Sequence, residues 1–445
     1  MHRRLLAQLE AWADAPRRKP LLVRGARQVG KTWAVNDFGS RRFPGRVRVI
    51  DLERRRDLHR IFEGALDTRA IISDLEAALG APVEPGLDLL FLDEIQACPR
   101  AIVALRYFYE DVPDLHVIAA GSLLELALGD ISVPVGRVQY LWVYPMTFAE
   151  YLHGIGDDIA ANVISAGPHP VSETTHRLLL EHLKDYLFVG GMPAAVAAYS
   201  DTGRLLDAFA VQEEIVASYR DDFLKYRPRT GVDILEDVLV SIARSVGEQV
   251  IVSKLSDRGV RGTVGKALVL LERAQIVRRV SSVHHLGLPL DARRAKRFKA
   301  IVVDVGLMNR LAGLPVSIEL QARDLLAIHN GAVAEQFVGQ ELAANASGQQ
   351  NLHYWTREAR NSSAEVDYVV RLGSGARPVE VKSGPAGRLR SMHLLLAQHP
   401  EAAPGIVLST APYAELPEHD LLFLPLYFAG SLERTAGDAR PAAGR

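Results

Sequence analysis

One stretch decides the fold: LLVRGARQVGKT, residues 21–32. A short apolar run leads into a loop that satisfies G-x-x-x-x-G-K-[ST] at every constrained position, and a helix-like run follows. Glycines let backbone N–H groups close around phosphate oxygens, and the start of the following helix adds the positive end of its dipole. The alternative is a strand-to-helix turn that happens to contain Gly-Lys-Thr. The pattern and its context favour a phosphate-binding loop.

The residues of this loop are predicted to bind the phosphates and the magnesium ion of a nucleotide. Lys31 is expected to reach the β and γ phosphates of ATP, and Thr32 to bind Mg²⁺ through its hydroxyl. Backbone groups of the neighbouring positions are expected to hold the remaining phosphate oxygens. The predicted nucleotide-binding residues of the loop are Gly25, Ala26, Arg27, Gln28, Val29, Gly30, Lys31, Thr32 and Trp33.

Two carboxylates strengthen the nucleotide prediction. Leu89-Leu90-Phe91-Leu92 is an apolar run that ends in Asp93 and Glu94, about 60 residues after the loop. Ligands of open α/β sheets bind at such strand tips. We expect Asp93 to hold the magnesium shell and Glu94 to polarise the attacking water as a general base.

Two other positions have a catalytic and a structural interpretation. Ser122 follows the apolar run 116–120, where it would sense the γ-phosphate or cap a helix. Arg137 would supply transition-state charge, in cis or in trans, or would be a solvated surface arginine.

The fold class follows from five short apolar runs. They cover residues 21–24, 47–50, 89–92, 116–120 and 138–143, and helical patterns separate them. This spacing predicts an α/β fold with a parallel sheet covered on both faces. From about Tyr144 the pattern becomes helical, with a break at Val189-Gly190-Gly191-Met192-Pro193.

Composition excludes several classes of protein. The 445 residues are 48% hydrophobic and 24% charged, which is typical of globular domains. The 52 basic and 53 acidic side chains leave a net charge of −1, so any nucleic-acid face must be local. A single cysteine, Cys98, excludes a disulfide framework. Neither a signal peptide nor a membrane span is predicted, and we expect a cytoplasmic protein.

Four motifs carry a family resemblance. GARQVGKT at 25–32, LLFLDEIQ at 89–96, AAGSLLEL at 119–126 and the stretch 144–151 resemble prokaryotic AAA-type P-loop ATPases with a C-terminal DUF4143 region. The resemblance covers nearly the whole chain. It implies an additional-strand P-loop fold with a catalytic glutamate.

A basic segment lies in the middle of the chain. Residues 252–300 hold twelve Lys or Arg against three acidic residues. The order helix, turn, helix (262–274) and two strands (276–283 and 298–303) predicts a winged helix whose second helix binds the DNA major groove, while the wing, 286–296, reaches phosphates. The alternative is a winged fold that binds protein. The basic residues are Lys254, Arg258, Arg261, Lys266, Arg273, Arg278, Arg279, Arg293, Arg294, Lys296, Arg297 and Lys299.

The C-terminal part carries a second set of carboxylates. Glu335 lies on a predicted helix, Asp367 on a strand, and Glu380 and Lys382 on one face of a second strand. This ordered set resembles the PD-(D/E)xK nuclease superfamily, although Val366 replaces the proline of its name motif. Glu335, Asp367 and Glu380 are the predicted ligands of Mg²⁺ or Mn²⁺, and Lys382 would orient or activate water. The alternative is a nuclease fold retained for binding or packing.

Together these features predict five segments. They are a P-loop ATPase core at 1–150, a helical lid at 151–230, a winged-helix-like domain at 231–313, a nuclease-like domain at 314–430 and a flexible tail at 431–445. The favoured function is an ATPase, binding ATP and ADP, that remodels or cleaves single-stranded, duplex or branched DNA. The rivals are a signalling switch that binds protein, and a nucleotide-regulated DNA-binding protein with an inactive nuclease fold. The oligomeric state is left open, a homo-oligomer included.

Overall fold

The computed structural model describes residues 3–122, 136–224, 231–290, 296–313, 331–346, 351–357, 364–385 and 387–436. It forms two compact units, one of residues 1–144 with 273–275 and the other of residues 145–272 with 276–445. The finer division into five segments stays a prediction.

The first unit is built on a parallel sheet. Its described strands are β1 (Leu21–Arg24), β2 (Val47–Asp51), β3 (Leu89–Asp93), β4 (His116–Ala120) and β5 (Gln139–Trp142), in the order β2-β3-β4-β1-β5. They match the five predicted apolar runs. Strands β3 and β4 are buried along their whole length, because helices cover the sheet. The helices are α1 (Arg4–Ala13), α2 (Lys31–Arg42), α3 (Thr68–Leu79) and α4 (Pro99–Asp111).

The strand order confirms the additional-strand fold implied by the resemblance. Strand β4 lies between β1 and β3 and pairs in parallel with both. Because all neighbouring pairs are parallel, the carboxyl ends of β1, β3 and β4 meet at one edge of the sheet. That edge receives residues 25–32, Asp93 and Ser122.

The second unit begins with helices. They are α5 (Phe148–Gly154), α6 (Asp158–Ser165), α7 (Glu173–Val189), α8 (Pro193–Thr202), α9 (Leu205–Leu224), α10 (Val232–Arg244), α11 (Arg261–Arg273), α12 (Val305–Ala312), α13 (Ala332–Asn345) and α14 (Arg390–Gln398). The predicted break at 189–193 separates α7 from α8. The α/β class is therefore confirmed in both units.

A mixed sheet completes the second unit. Within the described residues its strands follow the order β13-β14-β12-β11-β10-β9-β7-β8-β6. The hairpin β7–β8 of the basic segment joins the carboxylate-bearing strands through parallel pairing of β7 with β9. The strands are β6 (Val250–Ile251), β7 (Val277–Val283), β8 (Arg297–Val302), β9 (Leu352–Thr356), β10 (Glu365–Leu372), β11 (Gly375–Val381), β12 (Gly405–Ser409), β13 (Ala414–Leu416) and β14 (Leu421–Pro425).

A buried polar hub fixes the break between α7 and α8. The fully buried carboxylate of Asp304 accepts hydrogen bonds from the N–H of Leu307, as the N-cap of α12, and of Gly191, at 2.6 Å. A Cβ at Gly190 would overlap this carboxylate, and one at Gly191 would overlap the carbonyl oxygen of Met146. Glycine is therefore required at both positions by close packing.

Candidate functional site

The loop between β1 and α2 has the shape that phosphate binding requires. A Cβ at Gly25 would overlap the carbonyl oxygen of Val143, so the backbone there tolerates no side chain. Gly30 has φ of 90°, in the left-handed region, and immediately precedes α2. No side chain caps this helix, so its first N–H groups stay available to an anion.

Lys31 is held inside the loop. Its Nζ donates to the carbonyl oxygens of Gly25 (3.1 Å) and Ala26 (2.8 Å), and the residue is 6% exposed. Burial lowers the pKa of Lys31 to about 8, while Glu94 and Asp93 act in the opposite direction. The ammonium is thus poised beside the loop, where phosphate oxygens would replace the carbonyls as partners.

The strand tip of β3 faces the loop. Thr32 Oγ1 donates to Asp93 Oδ2 at 2.9 Å, which brings together the two residues predicted to bind magnesium. Burial raises the pKa of Asp93. Glu94 has φ of 48°, and its Oε2 accepts a hydrogen bond from Gln96. A hydroxyl, a buried carboxylate and a carboxylate just beyond the strand are the groups that a magnesium nucleotide needs.

Ser122 and Arg137 lie at opposite edges of the sheet. Ser122 follows β4 at the edge that carries the loop. Arg137 precedes β5, whose Gln139 pairs with Leu21 at the start of β1, so it lies roughly 20 Å from the loop edge. It is exposed and donates to Glu110 at 2.8 Å, which raises its pKa. This position does not bring Arg137 to the phosphate loop, and its catalytic role, in cis or in trans, stays a prediction.

One supporting residue of the nucleotide site was not predicted. The buried side chain of Arg3 donates from Nη2 to the carbonyl oxygen of Tyr144 at 2.8 Å and lies 3.5 Å from that of Val29. It ties the start of the chain to the phosphate loop. An arginine beside the first residues of the chain carries no sequence signal for such a contact.

The second unit holds a carboxylate cluster around a lysine. Lys299 on β8 is 2% exposed, and its Nζ lies 2.8 Å from Glu335, 2.6 Å from Glu365 and 3.3 Å from Asp367. Burial alone would lower the pKa of Lys299, but the three carboxylates together raise it. Lys299 was counted among the basic residues of the middle segment, but it adds no charge to the surface, because its ammonium is buried and paired.

Glu380 and Lys382 complete the cluster. Lys382 Nζ lies 2.6 Å from Glu380 Oε1, and Asp367 Oδ2 accepts from the N–H of Val381. Glu380 is 7% exposed, and its Oε2 has no hydrogen-bond partner among the described residues. Burial, with the charge of Asp367, raises the pKa of Glu380 to about 7. The sequence therefore placed Asp367, Glu380 and Lys382 together correctly, but missed Lys299 and Glu365.

The three predicted metal ligands differ in whether their carboxylate oxygens are free to bind an ion. Glu380 Oε2 is a buried oxygen without a partner in the described residues, so it fits a divalent ion. Asp367 lies beside it, but Lys299 and the N–H of Val381 engage its two oxygens. Glu335 does not fit, because Lys299 occupies its carboxylate. Across the described part of the chain, no group of three or more His, Cys, Asp or Glu is arranged to hold a metal ion. Metal binding by Glu335, Asp367 and Glu380 thus stays a prediction.

The basic segment is less charged at its surface than its composition indicates. Arg258 lies 3.3 Å from Asp237, and Arg279 lies 2.8 Å from Glu272. Arg293 and Arg294 lie outside the described residues. Exposed basic side chains remain on and around α11 and at the start of β8: Lys254, Arg261, Lys266, Arg273, Lys296 and Arg297.

Three family models match separate parts of the chain. Residues 17–152 match an AAA domain, residues 180–317 a domain of unknown function (DUF8612), and residues 330–427 a domain of unknown function (DUF4143). A search of the curated proteins finds no match. No described helix has the length and apolar character needed to span a membrane.

Several solved structures resemble the chain at low sequence identity. A Walker-type ATPase of Pyrococcus abyssi is 16% identical, over 69% of this chain and 94% of its own, with a TM-score of 0.43. The RuvB Holliday junction branch migration motor of Thermotoga maritima is 15% identical, over 62% and 88%, with a TM-score of 0.32. DnaA of Aquifex aeolicus, bound to AMPPCP, is 14% identical, over 60% and 85%, with a TM-score of 0.27.

Proposed function

The chain carries an AAA-type P-loop ATPase domain at its N-terminus and a DUF4143 region at its C-terminus, and from this we propose that it hydrolyses ATP and couples the turnover to DNA bound by the second unit. The observation that carries the proposal is the convergence of Lys31, Thr32, Asp93 and Glu94 at the carboxyl edge of the parallel sheet.

Each residue of the nucleotide site has a defined task. The N–H groups of the loop and of the first turn of α2 bind phosphate oxygens, and Lys31 moves from the loop carbonyls to the β and γ phosphates. Magnesium bound with the nucleotide would be held through Thr32 and Asp93 and would supply charge neutralisation at the phosphates. Glu94 accepts the proton of the attacking water, since its carboxylate lies just past the strand end.

The coupling to DNA rests on the basic segment. Strand β6, helix α11 and the hairpin β7–β8 follow in the order of a winged helix, and β6 pairs with β8. Helix α11 presents Arg261 and Lys266 to solvent. Exposed cations on the second helix of such a motif are placed to bind phosphates flanking a groove.

Cleavage of the bound DNA is a second candidate function, which one observation favours. Glu380 Oε2, which has no partner in the described part of the chain, lies in the cluster that also contains Asp367 and Lys382, the groups that phosphodiester hydrolysis would use. Metal-dependent cleavage that persists in Lys31→Ala and disappears in Lys382→Ala would support it. Absence of cleavage in the native chain with Mg²⁺ or Mn²⁺ would leave the fold in a binding role.

The proposed coupling is tested by ATP turnover with and without single-stranded, duplex and branched DNA. We expect at least one DNA to accelerate turnover, and Lys31→Ala to abolish nucleotide binding in all conditions. Slow turnover that is indifferent to every DNA would favour the rival function, a nucleotide-dependent switch that binds protein.

A further inference from the structure

We propose that Lys299 is the resident cation of the carboxylate cluster and that it keeps Glu335 and Glu365 from binding a divalent metal ion, so that Glu380 is the cluster member with an oxygen open to one. The inference rests on the candidate cleavage site and names its ligands. It concerns occupancy of the carboxylates, and it can hold even where cleavage does not occur.

The geometry gives Lys299 the coordination that a metal ion would otherwise have. An ammonium has three N–H donors, and three carboxylates from two elements, α13 and β10, lie within 3.3 Å of its Nζ. The ring of Tyr354, on β9, lies 5.8 Å from the same nitrogen. These contacts satisfy the donors of the buried ammonium and hold it in the cluster.

The other oxygens of the engaged carboxylates are also restricted. Glu365 Oε2 accepts a hydrogen bond from Gln249 at 2.5 Å. A Cβ at Gly247 would lie 3.3 Å from Glu335 Oε2, which places Gly247 on that side of the carboxylate. Glu380 Oε2, in contrast, is buried with no partner in the described residues. Within the described cluster, the open oxygen is therefore on the far strand, β11, beside Asp367.

Charge sets the number of metal ions. The cluster contains the carboxylates Glu335, Glu365, Asp367 and Glu380 and the ammonium groups of Lys299 and Lys382, an excess of two negative charges when all are ionised. These groups are in contact with one another in a buried site, so the excess is unfavourable without a further cation. One divalent ion matches the excess; a second, at Glu335, would be repelled by Lys299.

Direct Mn²⁺ binding tests the assignment. All variants are full-length and nucleotide-free, and carry Asp93→Asn to remove the acidic ligand of the nucleotide site. Binding is measured by electron paramagnetic resonance of free Mn²⁺ and by the shift in unfolding temperature. In the chain with native Lys299, Glu380→Gln should weaken Mn²⁺ binding about tenfold or more, whereas Glu335→Gln should leave it unchanged.

Replacing Lys299 should make the carboxylates that it engages available to a metal ion. Lys299→Met should bind Mn²⁺ about tenfold more tightly or gain a second ion, and adding Glu335→Gln should remove that gain. If Lys299→Met loses its fold because three carboxylates lack a cation, Mn²⁺ should restore it by mass action. Lys299→Arg, which keeps the charge, is the control.

The outcomes separate this inference from the candidate cleavage function. Glu335-dependent Mn²⁺ binding that appears in Lys299→Met but not with native Lys299 supports the inference. Native Mn²⁺ binding that depends on Glu380, without any DNA cleavage, would contradict the cleavage function alone. A native chain that binds no Mn²⁺ at the cluster would overturn the assignment of Glu380. Equal weakening by Glu335→Gln and Glu380→Gln in the presence of Lys299 would overturn the inference. So would a Lys299→Met chain that neither binds Mn²⁺ nor is stabilised by it.

Discussion

At the scale of single residues, two neighbouring carboxylates of the nucleotide site differ in their backbone conformation and contacts. Asp93 is the last residue of β3 and bonds to Thr32, while Glu94, one position later, takes a left-handed backbone conformation and lies outside that pair. The change of backbone direction separates the carboxylate proposed to bind magnesium from the one proposed to accept a proton. Substitutions of Asp93 and of Glu94 should therefore have different effects on the nucleotide site.

Glu94→Gln should retain ATP binding and lose turnover. The amide fits the same space but cannot accept a proton from water, so the rate should fall about 10²–10⁴-fold. Equilibrium binding of ATP and steady-state phosphate release measure the two effects. The control is Glu53→Gln, the same chemical change at an exposed residue after β2. Unchanged hydrolysis in Glu94→Gln would remove Glu94 from the role of base.

Sequence alone predicted this site because its parts are contiguous. The loop, its strand and its helix lie within residues 21–42, and the acidic pair follows a recognisable strand. The position of Arg137 in the sheet could also be predicted, because a residue just before a parallel strand lies at the edge opposite the carboxyl ends. The buried and paired position of Lys299 could not be predicted from the sequence. The residue belongs to a basic run, and its partners are 36–68 residues away on other elements.

At the scale of elements, the break between α7 and α8 depends on contacts that only glycine permits. Gly191→Ala would push a methyl group into the carbonyl oxygen of Met146. We expect a loss of about 1–3 kcal/mol in the free energy of unfolding of the second unit, or more if the backbone cannot shift. Thermal unfolding measures it. The control is Gly262→Ala on α11, where a Cβ meets nothing within 4 Å and the helix should be unaffected or slightly stabilised. Equal stability of the two variants would contradict the packing argument.

The Asp304 hub should make stability depend on pH. Burial raises the pKa of Asp304 from 3.8 to about 6, despite its backbone hydrogen bonds. A folded-state pKa above the unfolded one means that the folded chain binds the proton more tightly. The stability from this carboxyl is therefore fully present below about pH 4 and is lost as the pH rises through 6.

Asp304→Asn keeps an acceptor for Gly191 and cannot ionise. The difference in the free energy of unfolding between native and variant, measured by urea denaturation, should thus shift in favour of the variant between pH 4 and 7, by an amount on the order of 3 kcal/mol. A difference that stays constant over this range would show that the folded state does not perturb Asp304.

Helix α11 should carry part of the DNA affinity. Replacing Arg261 and Lys266 together by Ala should weaken binding to duplex DNA. The slope of log K against log salt should fall by about 0.9 for each phosphate that the variant no longer neutralises. Fluorescence anisotropy over a range of salt concentrations measures the slope. Arg177→Ala with Arg204→Ala removes the same charge from exposed positions on and next to other helices and is the control. An unaltered slope in the α11 variant would place the DNA-binding surface elsewhere.

At the scale of the whole molecule, the described residues place two candidate sites on two different sheets. One sheet is entirely parallel and holds the phosphate loop at its carboxyl edge. The other is mixed and combines the hairpin of the basic segment with the carboxylate-bearing strands. Apolar runs predicted the five strands of the first sheet and four strands of the second, β7, β8, β10 and β11. They could not predict that β7 pairs with β9, because pairing between strands separated by about 70 residues leaves no local pattern.

The most direct test of coupling between ATP turnover and DNA is the rate of ATP hydrolysis as a function of DNA concentration. We expect DNA to accelerate turnover in the native chain and in the Arg177→Ala, Arg204→Ala control. The Arg261→Ala, Lys266→Ala variant should need about tenfold more DNA for half-maximal acceleration, because two cations no longer neutralise phosphates. A native rate that no DNA changes, or an α11 variant with the same DNA dependence as the control, would contradict coupling between the nucleotide site and this surface.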